Sequence, residues 1–533
     1  MQYCNVVEKS AAVSKGIALQ KGNRLKNLKP KTRSRGGPSK MEQENMIRKL
    51  PEKQRRPKTK SLGQFWNEVE DDKGRSQIYF HDSLLYERTL PKIGVFKDKK
   101  GTIYLEESPN RVRVDIPITD VPALVIDYIK SLGLKNEVDV LDYVVSNAHR
   151  LGRSGLPFFP VREFKFLRDN EFYMFFPCTS QILRISRKNG KLEWLDYEGI
   201  DALVDIEAII PFDGILVSDD EAWQSVFAAF IDFTMNQEEP RIRALQCNIG
   251  FLMDQWKLGS KSRAVVFIDE GQAEGAPPNG RSGKSLMTQA LLHVRKPSII
   301  IDAQGIDPNS RFMFQSVPIN AQVVILDDVN IRIKSDRLFS IITGPFVIER
   351  KNREPIILNY ELAPKLLLTS NNTVIGSGRS NADRFSVISF SDFFDHTYSP
   401  REEWGDEVYS GWKIDEWSRF YTYIFTVLIP EYLKYGLEST ESPENLRQNQ
   451  VIQSTSYDFF NWCLENLTPD MGKEETSTVR HNCIVHVGEA TGKKLEGDIS
   501  LFTRWARIFV EQYLEAKLTI KKSNSRNYLV IGK

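Results

Sequence analysis

Between Ala264 and Ser285 the chain reads AVVFIDEGQAEGAPPNGRSGKS, an apolar strand, a glycine-rich loop and the first turn of a helix. Such a loop brings main-chain N–H groups and the positive end of a helix dipole to one point, where a polyphosphate can sit. Asn279, Gly280, Arg281, Ser282 and Gly283 would form the cradle, Lys284 would reach the β- and γ-phosphates, and the Ser285 hydroxyl would face Mg²⁺. The expected ligands are therefore ATP and Mg²⁺. The pattern G-x-x-x-x-G-K-[ST] places its first glycine at position 278, where this chain has Pro278. Gly275 and the turn dipeptide Asn279-Gly280 flank it and can supply the positive φ that the loop needs. A surface loop ahead of a helix can share this composition, and it is the downstream residues that separate the two readings.

QVVILDDV, about forty residues after Lys284, is a buried strand ending in two carboxylates, one or two βα units away and so beside the loop. Asp327 is placed to hold Mg²⁺ through water and Asp328 to polarise an attacking water. PKLLLTSNN repeats the arrangement: an apolar strand ends in Asn371-Asn372, amides able to orient water or touch a γ-phosphate. GRSNADRF then supplies Arg379 and Arg384. An arginine that cannot reach its own subunit's γ-phosphate can be presented to a neighbour's, and such fingers contribute roughly 10³–10⁵ in related phosphoryl transfers. Arg384 is the expected finger; pairing with Asp383 or solvent is its alternative.

Positioning these groups requires a strand, the loop, helix SLMTQALLHV, strand PSIIIDA, a helix, strand QVVILDDV, helix DRLFSIITG, a hairpin, strand PKLLLTSNN and strand RFSVISF. The alternation predicts an α/β, doubly wound, mainly parallel sheet of the P-loop NTPase kind, with ligands at the strand carboxyl ends. Residues 1–60 read as a disordered basic tail, 61–217 as an α/β N-terminal domain with turns at Lys100-Gly101 and Asn189-Gly190, and 218–260 as a helical lead-in. The ATPase core spans 261–395, an aromatic helical segment and polar linker 396–450, and residues 451–533 form helices followed by a hairpin turning at Ser523-Asn524. That last order suits a winged helix, with Arg504, Arg507, Lys521, Lys522 and Arg526 as its DNA-facing residues; a packing domain is the competing reading.

Taken as a set, GQAEGAPPNGRSGKS, VVILDDV, ITGPFVIERKNREP and KLLLTSNN followed by NADRF resemble the successive motifs of superfamily 3 helicases, in the branch of phage, plasmid and large DNA virus replication proteins. The resemblance covers about 215–395. It implies an oligomeric ring, usually a hexamer, that hydrolyses ATP between subunits and translocates on single-stranded DNA. A primase or polymerase is a candidate companion, and the scattered cysteines without a secretory signal point to the host cytoplasm. It also implies that the hairpin FVIERKNREPIIL grips DNA, with Arg350, Lys351 and Arg353 at its tip as phosphate contacts. Two rival functions use the same core: a nucleotide-switched origin-binding initiator without unwinding, and a packaging or assembly ATPase.

Composition narrows the classes further. The 533-residue chain needs several cores and carries a net charge of only +2, yet residues 1–60 hold 17 Lys/Arg against 4 Asp/Glu, leaving the remainder at −11. The tail is thus the basic element, although Met41 could also begin the chain. Five dispersed cysteines argue against a zinc ribbon or disulfide scaffold, and no long apolar run suggests a membrane span or a secretory signal. Isolated acidic pairs such as Asp71-Asp72 and Asp219-Asp220 lack the supporting ligands of a primase site, and no His-x-His motif suggests a nicking endonuclease.

Overall fold

The computed structural model describes residues 64–533 other than 71–75, 260–261, 271–280, 306, 308–309, 330–334, 352–353, 372–382, 406, 442 and 533. The basic tail, Pro278, Asn279, Gly280, Arg353, Asn372 and Arg379 lie outside the described residues. At the centre is a five-stranded sheet of β1 (Ala264–Asp269), β2 (Ser298–Asp302), β3 (Val323–Asp327), β4 (Lys365–Thr369) and β5 (Phe385–Phe390). The spatial order is β2-β3-β4-β1-β5, and every pairing is parallel. Parallel strands have both faces covered, which is why they read as unbroken apolar runs. Along β1, Val265 and Phe267 enter one cluster while Ala264, Val266 and Ile268 enter another on the opposite face.

The first face is covered by helices Val226–Thr234 and Glu239–Met253 and by a long helical stretch from Ile414 to Tyr435. Ser225 caps the first helix by accepting from the Ala228 amide, and Pro240 occupies the first turn of the second, where its missing N–H costs nothing. The other face carries helix Ser335–Thr343 and an antiparallel hairpin, Phe346–Ile348 with Ile356–Leu358. No helix lies between β2 and β3 among the described residues, against the expectation. The segment is a series of turns whose Met313, Phe314 and Val317 fill the space under the hairpin instead. The polar linker also differs: Pro443–Ser454 is a helix, started by proline and anchored by the fully buried Val451.

Ahead of the core, Val95–Lys97, Ile103–Ser108, Arg111–Val114 and Val204–Asp205 form one small sheet, and Tyr173–Pro177, Ile182–Ser186 and Leu192–Leu195 another. Both glycines at the expected turns, Gly101 and Gly190, have positive φ. The aromatic run from Ile78 to Leu90 is a strand only through Phe80; from Asp82 it is helical, burying Leu85, Thr89 and Leu90 on one face. One apolar cluster crosses position 217, joining Met174, Phe176 and Ile185 to Phe227, Leu252 and Phe267. Charge crosses it as well. Arg295 donates to Asp169 at 2.7 Å and Arg187 grips Asp254 through both guanidinium nitrogens at 2.6 and 2.5 Å, all four side chains being largely buried.

After Ser454, helix Tyr457–Asn466, strand Glu474–Glu475, helices Thr476–His486, Glu489–Gly497 and Ile499–Ile508, and strands Lys517–Ser523 and Arg526–Gly532 enclose their own apolar cluster around Phe459, Phe502 and Leu529. The last strand lies centrally, flanked by the other two. The hairpin turns one residue later than expected, at Asn524-Ser525, both with positive φ as a two-residue turn of the primed type requires. No described helix is long and apolar enough to cross a membrane.

Candidate nucleotide site

The order β3-β4-β1 sets the carboxyl ends of three strands side by side, so the residues that follow them share one edge of the sheet. β1 ends in Asp269. The chain re-enters the described region at Arg281, with φ of 64°, and Gly283, with φ of 91°, caps helix Lys284–Val294. Glycine is required at 283: a Cβ there would lie 2.8 Å from the Phe230 ring. The turn folds Lys284 back against the sheet, where it is 6% exposed and ion-paired with Asp269. Its Nζ is 3.1 Å from Ser282 Oγ, and the Ser282 hydroxyl donates to the same Asp269 oxygen. The second oxygen of Asp269 is buried without a hydrogen-bond partner among the described residues.

β3 delivers Asp327 and Asp328. Asp327 Oδ1 accepts from Ser285 Oγ at 3.0 Å and from Thr369 Oγ1 at 2.5 Å. Asp328 has φ of 56°, a left-handed conformation that aspartate tolerates better than most residues, and this turns its carboxylate away from the strand direction. Its amide donates to Thr369 Oγ1 at 2.9 Å, so one hydroxyl at the end of β4 fixes both acids. Gln304 Nε2 donates to Asp328 Oδ2 at 2.6 Å, and Asn371 Nδ2 lies 3.5 Å from Oδ1. The structure therefore brings Ser282, Lys284, Ser285, Asp327, Asp328 and Asn371 to one edge.

Arg384 is elsewhere. It immediately precedes β5, whose Phe385 pairs with Ala264 and whose Phe390 pairs with Asp269, which puts it at the far end of the sheet, roughly 17 Å from the acids by strand rise. Its carbonyl accepts from the Ala264 amide and its guanidinium stacks 4.4 Å from the Phe339 ring centre. On the hairpin, Lys351 is exposed, while Arg350 turns inward to Asp115 at 3.4 Å and to the Val317 carbonyl at 3.2 Å.

No protein-family model matches the chain, and neither does any curated protein. Among solved structures it is similar to the apo structure of the NrS-1 C terminal region, at 14% identity and a TM-score of 0.42 over 85% of this chain and 99% of that one. An A-form apo structure of the same region gives 15% and 0.39 over 84% and 99%. JCV helicase bound to a small thiazolopyridine ligand gives 14% and 0.26 over 48% and 66%. At this level none of these likenesses bears on what the site does.

Asp269, Thr369 and Gln304 were not among the residues the sequence pointed to. Asp269 had a signal: β1 ends in Asp-Glu as β3 ends in Asp-Asp, both straight after an apolar run. Thr369 opens the TSNN run and acts only because β4 lies next to β3, a neighbour relation that spacing does not encode.

Proposed function

We propose that this chain is an ATP-hydrolysing DNA helicase of the superfamily 3 kind, working as a ring of identical subunits on single-stranded DNA. The observation that carries the reading is the meeting of a lysine at a helix start, a serine hydrogen-bonded to a strand-end aspartate, and a second aspartate beside an asparagine amide. The donor set fits ATP with Mg²⁺. Lys284 is held ready by Asp269, and a polyphosphate would draw its ammonium forward and leave Ser282 to satisfy the acid. Among the described residues no three His, Cys, Asp or Glu converge. Mg²⁺ in phosphate sites typically takes one or two carboxylates and fills its shell with water and phosphate oxygens, so Ser285 and Asp327 suffice as protein ligands. The metal, when bound, would neutralise charge developing between the β- and γ-phosphates. Asp328 holds and accepts a proton from the attacking water, and Gln304 and Asn371 orient its carboxylate.

The two acids should separate kinetically. Asp327→Asn is expected to raise the Mg²⁺ concentration needed for half-maximal hydrolysis, whereas Asp328→Asn is expected to slow turnover by about 10²-fold at saturating Mg²⁺, the usual scale for losing a general base. Steady-state rates across a Mg²⁺ titration read both. Equal, negligible effects would make the pair ordinary turn residues.

Strand separation is tested on a forked duplex, where a nucleotide-switched binder or a packaging ATPase would leave the strands paired. The exposed Lys351 and its neighbour Arg353 are the proposed DNA contacts of the hairpin, with Arg350 braced against Asp115. Lys351→Ala with Arg353→Ala should keep basal hydrolysis, lose its stimulation by DNA and lose unwinding. Its slope of log affinity against log salt should flatten by roughly 0.7 for each contact removed. Parallel slopes with unwinding retained would put the hairpin outside the DNA path. The helix–strand–helices–hairpin order after Tyr457, with its last strand central, supports a winged helix that would add duplex contacts through exposed Arg504, Lys521 and Lys522. Arg507 and Arg526 are paired there with Glu511 and Glu475.

A further inference from the structure

At the end of the sheet away from Lys284, a cavity of about 500 Å³ opens between the starts of β1 and β4 and the helical stretch that ends at Tyr435. Besides Arg187, which is spent on Asp254, four cations line it: Lys257, Arg263, Lys365 and Lys434. Asp254, the acid on its wall, is already committed, accepting from Arg187 at both oxygens, from the Tyr432 hydroxyl at 2.8 Å and from the Trp256 amide at 2.9 Å. The cations make do with carbonyls: Lys365 Nζ donates to Phe251 at 2.7 Å, Lys257 Nζ to Pro364 at 3.1 Å and Arg263 Nε to Asp383 at 3.1 Å. None of the four forms an ion pair among the described residues.

Lys365 also lies over the Phe251 ring at 3.6 Å, Lys257 over Tyr360 at 5.0 Å and Lys434 over Tyr435 at 4.5 Å. A buried ammonium that faces carbonyls and rings but no carboxylate of its own is costly, and burial favours loss of its proton. Burial, reinforced by the charges of Lys365 and Arg168 and opposed by Glu361, brings Lys257 down to about 7. Burial brings Lys365 down to about 8, with Asp254 and Asp169 opposing and Arg187 and Arg295 adding to the fall. The cavity is thus short of negative charge. The rest of its lining includes partly buried Trp256 and Tyr360, with Arg187 over the first ring and Lys257 over the second, together with leucine and isoleucine side chains.

We infer that this cavity binds a phosphomonoester on an aromatic body, a mononucleotide, with the phosphate held by Lys257, Lys365 and Lys434 and the base against Trp256 and Tyr360. Its volume is in the range of pockets for ligands of that size. The same chemistry is offered by a free nucleotide and by the 5′-phosphate end of a DNA strand. An incoming dianion stabilises the charged form of Lys257, so binding takes up a proton above pH 7, where the empty site has lost it, and takes up little at pH 6, where the proton is already present.

The test is calorimetry on the full chain carrying Lys284→Ala, which weakens the other phosphate site. The probes are dTMP, thymidine, and an oligothymidylate with and without a 5′-phosphate, each titrated in two buffers of different ionisation enthalpy. Expected are binding of dTMP but not thymidine, proton uptake at pH 8 that fades at pH 6, and at least tenfold weaker binding when Lys257→Met is added, the cost of one charged contact. Lys434→Ala, at the exposed rim, should weaken dTMP about threefold and guards against misfolding of the Lys257 variant. Preference for dTMP identifies a free-nucleotide site, and preference for the phosphorylated strand a DNA-end site. No dTMP or strand binding, equal binding of thymidine, or unchanged affinity in both lysine variants overturns the inference.

Discussion

Lys284→Ala is expected to lower ATP hydrolysis by about 10²–10³-fold, the scale on which single preorganised electrostatic contacts to developing charge act. Lys284 is the cation at the strand-loop-helix junction that is both buried and free to exchange its partner, because Asp269 keeps Ser282 when the ammonium leaves. The same substitution also strands Asp269, which is largely buried and has one oxygen already unpartnered. Removing one member of a buried ion pair costs about 3 kcal/mol or more. The variant should therefore melt a few degrees lower, and adding Asp269→Asn should restore the melting temperature while leaving hydrolysis absent. Parallel measurement of turnover and thermal unfolding separates the two effects. Near wild-type turnover in folded Lys284→Ala protein would remove the lysine from the site and, with it, the polyphosphate reading.

Arg384→Ala is expected to cost roughly 10³–10⁵ in turnover, although the residue lies at the far end of the sheet from its own chain's acids. A side chain of that reach cannot cross the strand length, so in the proposed ring its partner would be the site of a neighbouring copy. Mixing Arg384→Ala with Lys284→Ala subunits tests this directly. In a random ring roughly a quarter of the junctions would join an intact lysine site to an intact arginine, and activity should return toward that fraction of wild type. Mixed assemblies that form and stay inactive would count against the finger. Retained turnover in Arg384→Ala alone would show the arginine to be only a cover for Phe339.

The lysine, the serine and both strand-end acids were legible because their spacing repeats a physical requirement: an apolar strand long enough to cross the sheet, then a polar group at its carboxyl end. The strand order was not legible. β1, β3 and β4 are covered on both faces, so each is an unbroken apolar run and nothing in their patterns says which lies next to which. Thr369 and Gln304 depend on that order and were hidden with it. That no helix lies between β2 and β3 among the described residues has a related cause: alternation of strand and helix predicts a crossover helix, but here turns under the hairpin supply the apolar cover. Pro443–Ser454 was missed because its composition is polar and its buried contact reduces largely to Val451.

The pairing of Arg295 with Asp169 has a consequence for how such a gene can change. The guanidinium belongs to the core, following helix Lys284–Val294, and the carboxylate to the region before residue 217; burial pushes the Arg295 group down and the Asp169 carboxyl up, and each is opposed by the other's charge. A crossover between two related genes that fell between these codons would unite an arginine with a foreign residue in place of its acid, and the hybrid would bury a lone cation. Exchange of N-terminal modules is therefore constrained to donors that bring an acid at the same place, and the front of this protein is inherited together with its parallel-sheet core.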